Sequence, residues 1–306
     1  MASPGLDSQQ ITSHRKTRLS EFEGEKDFSQ VKKEAVRYLE ILGFPGKAES
    51  FANCSEDFAV FHCHDCGNDF SAPITCGLRV CPSCRSRIRG RFVEELTDHI
   101  KGVKNSRHMV LTFPNLPPDA TVKQIKEKVR ELKDNFGSLR RRSYFDERVK
   151  GTIYGIEVKQ VGNGYNIHLH CFLALEDWVK HPSQFDYNKI AEMWCEYFPD
   201  AEPSAQEFRQ HRSNRTALTE VVSYATKGAY FESGEAMAKW VVATSGSRLI
   251  GRTGCFYDIE LFREKKYLEC PYCGSREVDY LGKWSELVRT SVASKPPPTI
   301  NEIEGG

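Results

Sequence analysis

Two β-patterned segments separated by a turn signal constrain the fold of this 306-residue chain most strongly. Thr152–Gln160 and Tyr165–Leu175 are typical of strands, and the intervening Asn163-Gly164 pair favours a tight hairpin turn. Helical patterns lie before and after this hairpin. Strands and helices of mixed order around a central hairpin predict an α+β domain with an antiparallel sheet flanked by helices.

The second of these strands carries two histidines with one residue between them. Side chains alternate faces along a strand, so His168 and His170 should project together from one face. Ile167, Leu169 and Cys171 should face the opposite way, into the core. Two imidazoles side by side can hold one divalent ion.

The preceding strand supplies Glu157 as a third candidate ligand. A two-residue turn at Asn163-Gly164 places Glu157 opposite His170, whereas a loop over residues 161–164 places it opposite His168. The shared face is the same in both registers. A solvated polar strand face is the alternative interpretation, and we favour the metal site because three ligands converge.

A predicted helix over Leu218–Phe231 contains a second constellation. Glu220, Tyr224 and Lys227 lie at positions i, i+4 and i+7, which form one stripe. A nearby ammonium group favours the nucleophilic phenolate form of a tyrosine, and a carboxylate one turn away can activate water. The stripe alone is common on helix surfaces.

Six of the eleven cysteines lie between residues 54 and 84, and they predict a structural zinc module. The Cys63-x-x-Cys66 and Cys81-x-x-Cys84 pairs are typical of a zinc ribbon, so these four are the predicted Zn²⁺ ligands. Cys76 adds an alternative, because it can replace one of them or form a second site with Cys54, His62 or His64.

A further Cys-x-x-Cys pair, Cys270 and Cys273, predicts a second zinc knuckle, whose other ligands could come from Cys255 or Cys54. Cys171 and Cys195 lie in apolar patterns and are expected to be core residues.

The formal net charge of +1 hides a local basic run. Four arginines, one just before and three within a predicted helix over Ser86–Lys101, are expected to contact DNA phosphates. They are Arg85, Arg87, Arg89 and Arg91. The polar first residues and the lack of a long apolar stretch favour a cytoplasmic protein.

Together these motifs resemble rolling-circle replication initiators of the HUH endonuclease superfamily, especially the single-tyrosine plasmid type. The resemblance covers about residues 105–231, and the motifs occur in that family's order. They are Val110–Asn115, His168-Leu-His170 with Glu157, and Tyr224–Lys227 with Glu220.

The resemblance implies an RRM-like sheet and a DNA-nicking and joining endonuclease that depends on Mn²⁺ or Mg²⁺. Tyr224 would attack the scissile phosphate and form a 5′-phosphotyrosine, with Lys227 steadying the phosphate and Glu220 directing water at termination. The implied partners are single-stranded DNA at a replication origin, a host helicase and a polymerase.

Related classes define the alternatives. Two-tyrosine transposases carry a second tyrosine where this chain has Glu220, so a transposase with the same chemistry is the second hypothesis. A non-catalytic zinc DNA-binding protein is the third.

The expected organisation has five parts. They are a disordered tail over 1–25, a helix and zinc module over 26–100, the endonuclease over 101–262, a second knuckle over 263–290 and a disordered tail over 291–306.

Overall fold

The computed structural model describes residues 28–162, 164–181, 184–226, 230–259, 268–288 and 296–300. The N-terminal tail predicted for residues 1–25 lies outside these ranges. Within the ranges, no helix has the length and apolar character that a membrane crossing requires.

A six-stranded sheet forms the centre of the molecule. Its strands are β3 (Ser106–Thr112), β4 (Val149–Val161), β5 (Gly164–Leu175), β6 (Glu207–Arg209), β7 (Tyr230–Phe231) and β8 (Ile250–Gly254). The order is β6-β3-β5-β4-β7, and β8 also pairs with β4. The pairings are antiparallel except for a two-residue parallel contact between β4 and β7. The predicted α+β class with an antiparallel sheet is confirmed.

The predicted hairpin is formed by β4 and β5, in the second of the two registers. Gln160 pairs with Tyr165, and Glu157 pairs with His168. Gly164 has a φ of +115°, and a Cβ atom there would lie 1.9 Å from the carbonyl oxygen of Leu116. The chain therefore needs glycine at this position both for its backbone angle and for the close approach of residue 116.

Helices cover both faces of the sheet. On one face the main core includes side chains of α1 (Phe28–Ile41), α4 (Val122–Arg140) and α6 (Tyr187–Cys195), together with those of α8 (Gly234–Ala243). On the other face, α3 (Pro82–Ile100) and α7 (Asn214–Thr226) enclose a second core with Ile153 and Phe172. Two short helices, α2 (Pro45–Ala52) and α5 (Ser143–Asp146), contribute Phe51 and Phe145 to the main core.

The helix predicted over Leu218–Phe231 ends earlier than expected. Its helical part is α7, whose last residue is Thr226, and Tyr230 and Phe231 form β7 instead. The backbone of these two residues pairs with Lys159 and Gln160 at the edge of β4. A helical sequence pattern gives no signal for this long-range pairing.

A separate three-stranded sheet joins distant parts of the chain. Its strands are β1 (Phe58–Cys63), β2 (Asp69–Pro73) and β9 (Val278–Lys283), in the order β2-β1-β9, and α9 (Trp284–Leu287) follows. Ser71 of β2 donates bonds to the carbonyl oxygens of Pro298 and Pro297, at 2.9 and 2.7 Å. Residues 296–300 of the expected C-terminal tail are therefore ordered against β2.

Candidate functional site: a histidine face and two cysteine clusters

The two hairpin histidines lie on one face of β5. On the opposite face Ile167, Leu169 and Cys171 are fully buried in the main core, as predicted. His170 pairs with Val110 of β3, so His108, two residues before Val110, also lies on the histidine side of the sheet. We call this surface the histidine face and define it by His108, Glu157, His168 and His170.

Glu157 contacts His170 across the hairpin. The distance between Glu157 Oε2 and His170 Nε2 is 2.9 Å, and both side chains are largely buried. Glu157 is directly opposite His168 in the register, so its contact with His170 is diagonal. The rings of His168 and His170 are 6.1 Å apart between centroids. The predicted trio therefore shares a face, and the closest contact within it is between Glu157 and His170.

His168 has a buried nitrogen without a hydrogen-bond partner, Nδ1. Burial lowers the pKa of His168, although the nearby Glu157 acts in the opposite direction. The imidazole is therefore neutral near pH 7, and in one tautomer Nδ1 carries a lone pair. A neutral imidazole whose buried nitrogen has no partner has the chemistry of a metal ligand.

A second group of potential ligands lies beside the first. One donor atom each from His108, His211 and Glu220 falls within 4.8 Å of the others. His211 Nε2 is 3.2 Å from His108 Nδ1 and 3.3 Å from Glu220 Oε2. His108 Nε2 is in turn 3.4 Å from His170 Nδ1. Three imidazoles thus form a continuous row between the carboxylates of Glu157 and Glu220.

Burial sets the charge of His108, the middle imidazole of this row. It is the main cause that lowers the pKa of His108 to about 3, and the neighbouring His170 and His211 add to the effect. Glu220 Oε1 has an ion pair with Arg209 Nη1 at 3.5 Å but makes no hydrogen bond. His108 is consequently neutral near pH 7, and part of the Glu220 carboxylate is available to a ligand.

Sequence reasoning did not identify His108 or His211 as site residues. The neighbours of His108 across the sheet depend on the β3–β5 register, for which the local sequence gives no signal. His211 follows the short strand β6 and belongs to no motif. Its position is set by β6 pairing with β3, which has no local signature.

The candidate nucleophile lies on the helix that carries Glu220. Tyr224 follows Glu220 by four residues in α7, one helical turn on, although its side chain is not among the described ones. Lys227 lies outside the described residues. Because α7 packs across β4 and β5, the helix runs over the sheet that bears the histidine face.

Comparison with known families identifies the chain at this point. A sequence model described as "Replication protein" matches residues 68–271, about two thirds of the chain. The chain belongs to the replication protein family. No curated protein and no solved structure shows significant similarity to it. The matched range includes the histidine face and α7, so the site described above lies within the family region of this replication protein.

The cysteines of the replication protein form two four-membered clusters that differ from the predicted ribbon. The first cluster joins Cys81 and Cys84, at the start of α3, to Cys54 and Cys76. Cys84 Sγ is 3.5 Å from the sulfurs of Cys54 and Cys76. This grouping contains the Cys54 and Cys76 pair that the sequence offered as an alternative.

The second cluster joins Cys63 and Cys66 to Cys270 and Cys273. Sulfur–sulfur distances are 3.6 Å for Cys63 with Cys273 and for Cys66 with Cys270. The predicted set of Cys63, Cys66, Cys81 and Cys84 is therefore divided between two clusters. The regular spacing of the two early pairs was misleading, because β9 brings a third pair to β1 from far along the chain. Each cluster can hold a metal ion.

The remaining candidates lie outside both clusters. His62 Nδ1 contacts Asp69 at 2.7 Å, and His64 Nε2 contacts Asp279 at 2.8 Å. Cys255 is exposed and belongs to neither cluster. Cys171 is buried in the main core, as predicted, and Cys195 is partly buried.

The arginines of the replication protein lie along α3, on the same side of the sheet as α7. Arg87 donates a 2.7 Å hydrogen bond to Thr75 Oγ1, and Arg85 is partly buried. Arg89 and Arg91 are exposed. A groove between α3 and α7 is lined by two arginines, Arg89 and Arg215, and by two acidic residues, Glu94 and Asp98.

Proposed function

We propose that this replication protein nicks one strand of DNA and starts rolling-circle replication through a covalent tyrosine intermediate. The observation that carries the proposal is the position of α7 over the histidine face, with Glu220 3.3 Å from His211. Tyr224 lies one turn further along the same helix. Membership of the replication protein family supports an action on DNA at an origin.

Residues of the histidine face fit a divalent ion. His168, His170 and Glu157 combine two imidazoles and a carboxylate, and the buried Nδ1 of His168 has no hydrogen-bond partner. Mixed nitrogen and oxygen donors suit Mn²⁺ or Mg²⁺ better than a thiolate site would. When bound, such an ion supplies Lewis acidity at a phosphoryl oxygen.

A second donor set for the ion has its own support. His108, His211 and Glu220 bring three donor atoms within 4.8 Å, which is closer than the His168, His170 and Glu157 arrangement. We keep the hairpin trio as the proposed ligands because of the unpartnered nitrogen of His168. In that case His108 orients the imidazole of the ligand His170, and His211 orients His108. Glu220 then remains available to activate water.

The protein's own residues then have distinct tasks. The phenolic oxygen of Tyr224 attacks phosphorus, a bond to the tyrosine forms, and the P–O bond to the 3′ oxygen breaks. The products are a 5′-phosphotyrosine and a free 3′-hydroxyl, which a polymerase can extend. Lys227 neutralises charge on the phosphate or phenolate, and Glu220 accepts a proton from water at termination.

DNA reaches the tyrosine through the groove between α3 and α7. Arg85, Arg87, Arg89 and Arg91 contact phosphates in this proposal, and Arg215 adds a further cation on α7, beside the acidic Glu94 and Asp98 of α3. Single-stranded origin DNA is the substrate, and a host helicase and polymerase are the partners. A cytoplasmic location follows from these partners.

The Cys54, Cys76, Cys81 and Cys84 cluster holds a structural Zn²⁺ ion in this proposal. A buried set of four thiols around one point is typical of structural zinc. The cluster closes the start of α3, so the ion would fix the base of the helix that carries the arginines. A transposase with the same chemistry and a non-catalytic DNA-binding protein are the competing functions.

Covalent capture of DNA tests the proposal. The protein is incubated with Mn²⁺ and a pool of random single-stranded DNA with fixed ends, and adducts are resolved after denaturation. We expect an adduct on the peptide that contains Tyr224, no adduct from Tyr224→Phe, and a normal yield from the control Tyr230→Phe. An undiminished adduct in Tyr224→Phe would exclude this nucleophile. A folded wild type that binds the DNA without any adduct would favour the non-catalytic alternative.

A further inference from the structure

The second cysteine cluster is built from two knuckles with the same backbone geometry. In the first, Gly67 donates to the carbonyl of Cys63 at 2.9 Å, and the Cys63 amide donates to residue 68 at 3.0 Å. In the second, Gly274 donates to the carbonyl of Cys270 at 2.8 Å, and the Cys270 amide donates to residue 275 at 2.7 Å.

Both knuckle glycines adopt positive φ angles, +69° for Gly67 and +75° for Gly274. This angle turns the chain back so that both cysteines of a pair point to the same side. The same turn occurs at residues 63–68 and 270–275 and presents a pair of thiols each time. This repetition indicates a binding site rather than an accidental proximity of four cysteines.

The sulfur spacing matches a tetrahedral metal rather than disulfides. A Zn–S bond of about 2.3 Å places neighbouring sulfurs about 3.8 Å apart, whereas bonded sulfurs are about 2.05 Å apart. The observed distances are 3.6 Å for the Cys63–Cys273 and Cys66–Cys270 pairs. The side-chain amide of Asn68 also donates a hydrogen bond to Cys66 Sγ, with a distance of 3.3 Å from Nδ2. A hydrogen bond of this kind stabilises a thiolate.

The sheet around this cluster has very little apolar core. Its buried cluster consists of Cys63, Phe70 and Cys270, so two of its three members are cysteines. Large apolar side chains on β9 face solvent, with Tyr280 58% and Leu281 47% exposed. Among the described residues of these three short strands, Val60 and Phe70 are the buried apolar side chains apart from cysteine, which is too little to hold the strands by apolar burial alone.

We propose that Cys63, Cys66, Cys270 and Cys273 bind a second Zn²⁺ ion. This ion would link the segment that leads into β9, near the end of the family region, to the end of β1, which lies before that region. The matched family region, residues 68–271, begins just after the first knuckle and ends inside the second. The ion is therefore a metal clasp that closes a loop of about 200 residues containing the histidine face. It is independent of the nicking chemistry.

Zinc stoichiometry of the full-length protein tests the clasp. Elemental analysis of protein purified without chelator should give two zinc ions per chain, and Cys273→Ser should lower the value to one. Cys255→Ser is the matched control, because Cys255 is exposed and belongs to neither cluster, and it should keep two. Cys273 is also exposed, so its replacement leaves the core intact.

Hydrogen exchange supplies the second readout. In Cys273→Ser, amides of β9 should lose protection while those of β4 and β5 keep theirs, and Cys273→His should restore both zinc and protection. Zinc that stays at two in Cys273→Ser would overturn the clasp. So would unchanged protection of β9, or a Cys63–Cys273 disulfide in protein prepared under reducing conditions.

Discussion

The histidine face and the cysteine-bearing sheet solve the same problem, the convergence of side chains from distant segments, by different means. Beneath the histidine face, β5 buries Ile167, Leu169 and Leu173 completely, and helices cover both sides of the sheet. Among the described residues beneath the second cysteine cluster, Phe70 is fully buried, whereas Phe61, Val278 and Ile300 are only partly buried. Burial of one such aliphatic or aromatic side chain contributes about 1.5–3 kcal/mol, so the two regions differ greatly in apolar stabilisation.

The histidines are potential ligands that an already stable sheet holds in position, whereas the cysteines are potential ligands on which the stability of their own sheet depends. The histidine row is held by strand registers and would keep its shape without an ion. The cysteine sheet buries little apolar surface, so we expect metal binding there to be part of folding. We therefore expect substitutions in the two regions to have different consequences.

Loss of one imidazole should abolish activity without unfolding the protein. His168→Ala removes a proposed ligand and should reduce nicking by about 1000-fold, since a metal contributes several kcal/mol to phosphoryl chemistry. Adduct formation and thermal melting are measured in parallel. His211→Ala is the comparison variant. If His211→Ala lost both its activity and its bound Mn²⁺, and His168→Ala kept both, the ion would belong to His108, His211 and Glu220. A large drop in melting temperature for His168→Ala would contradict the contrast itself.

Apolar truncation should be costly in one region and mild in the other. Leu169→Ala, in the main core, should lower the free energy of unfolding by about 2–5 kcal/mol. Val278→Ala, partly buried beside the cysteines, should cost under about 1 kcal/mol while zinc is bound. Denaturant titrations give both values. Equal losses would mean that the cysteine sheet depends on apolar packing after all.

Glu220 should affect the release of DNA more than the first cut. Glu220→Ala removes the proposed proton acceptor for water, so the ratio of covalent adduct to hydrolysed product should rise by about 100-fold. Glu207→Ala is a matched control, because Glu207 is exposed and also pairs with Arg209. Loss of the first cut in Glu220→Ala, to the extent seen in Tyr224→Phe, would assign Glu220 to tyrosine activation or to the metal.

Acid should weaken the metal-free protein through His108. Burial lowers the pKa of His108 to about 3, below the usual value of 6.5, so between these values the unfolded chain binds a proton that the folded chain excludes. Stability should therefore fall as the pH drops from about 6.5 towards 3, by at most about 1.4 kcal/mol per pH unit for this group. His108→Gln should flatten the slope between pH 6 and 4 in urea titrations, and an unchanged slope would show that other groups set it.

Local patterns predicted what depends on local chemistry. The hairpin, the shared face of His168, His170 and Glu157, and the burial of Ile167 and Leu169 all follow from alternation along two adjacent strands. The helix predicted over Ser86–Lys101 agrees to within a few residues with α3, which spans Pro82–Ile100.

Pairings between distant segments were not predictable in the same way. His108 and His211 join the site only through β3 pairing with β5 and β6. The cysteines were assigned by spacing to their nearest neighbours in sequence, whereas β1 pairs with β9 and brings Cys270 and Cys273 to Cys63 and Cys66. Spacing identifies a knuckle but does not identify which other knuckle completes the site.

The pairing of β1 with β9 also sets an order of events on the ribosome. Cys66 and Cys270 are separated by 204 residues. At about 5–20 residues per second, the nascent chain exposes the open edge of β1 and its two thiols for on the order of 10–40 s before their partners emerge. An open strand edge is a template for pairing with other chains. Slow or interrupted translation of this protein should therefore favour aggregation and thiol oxidation at the first knuckle.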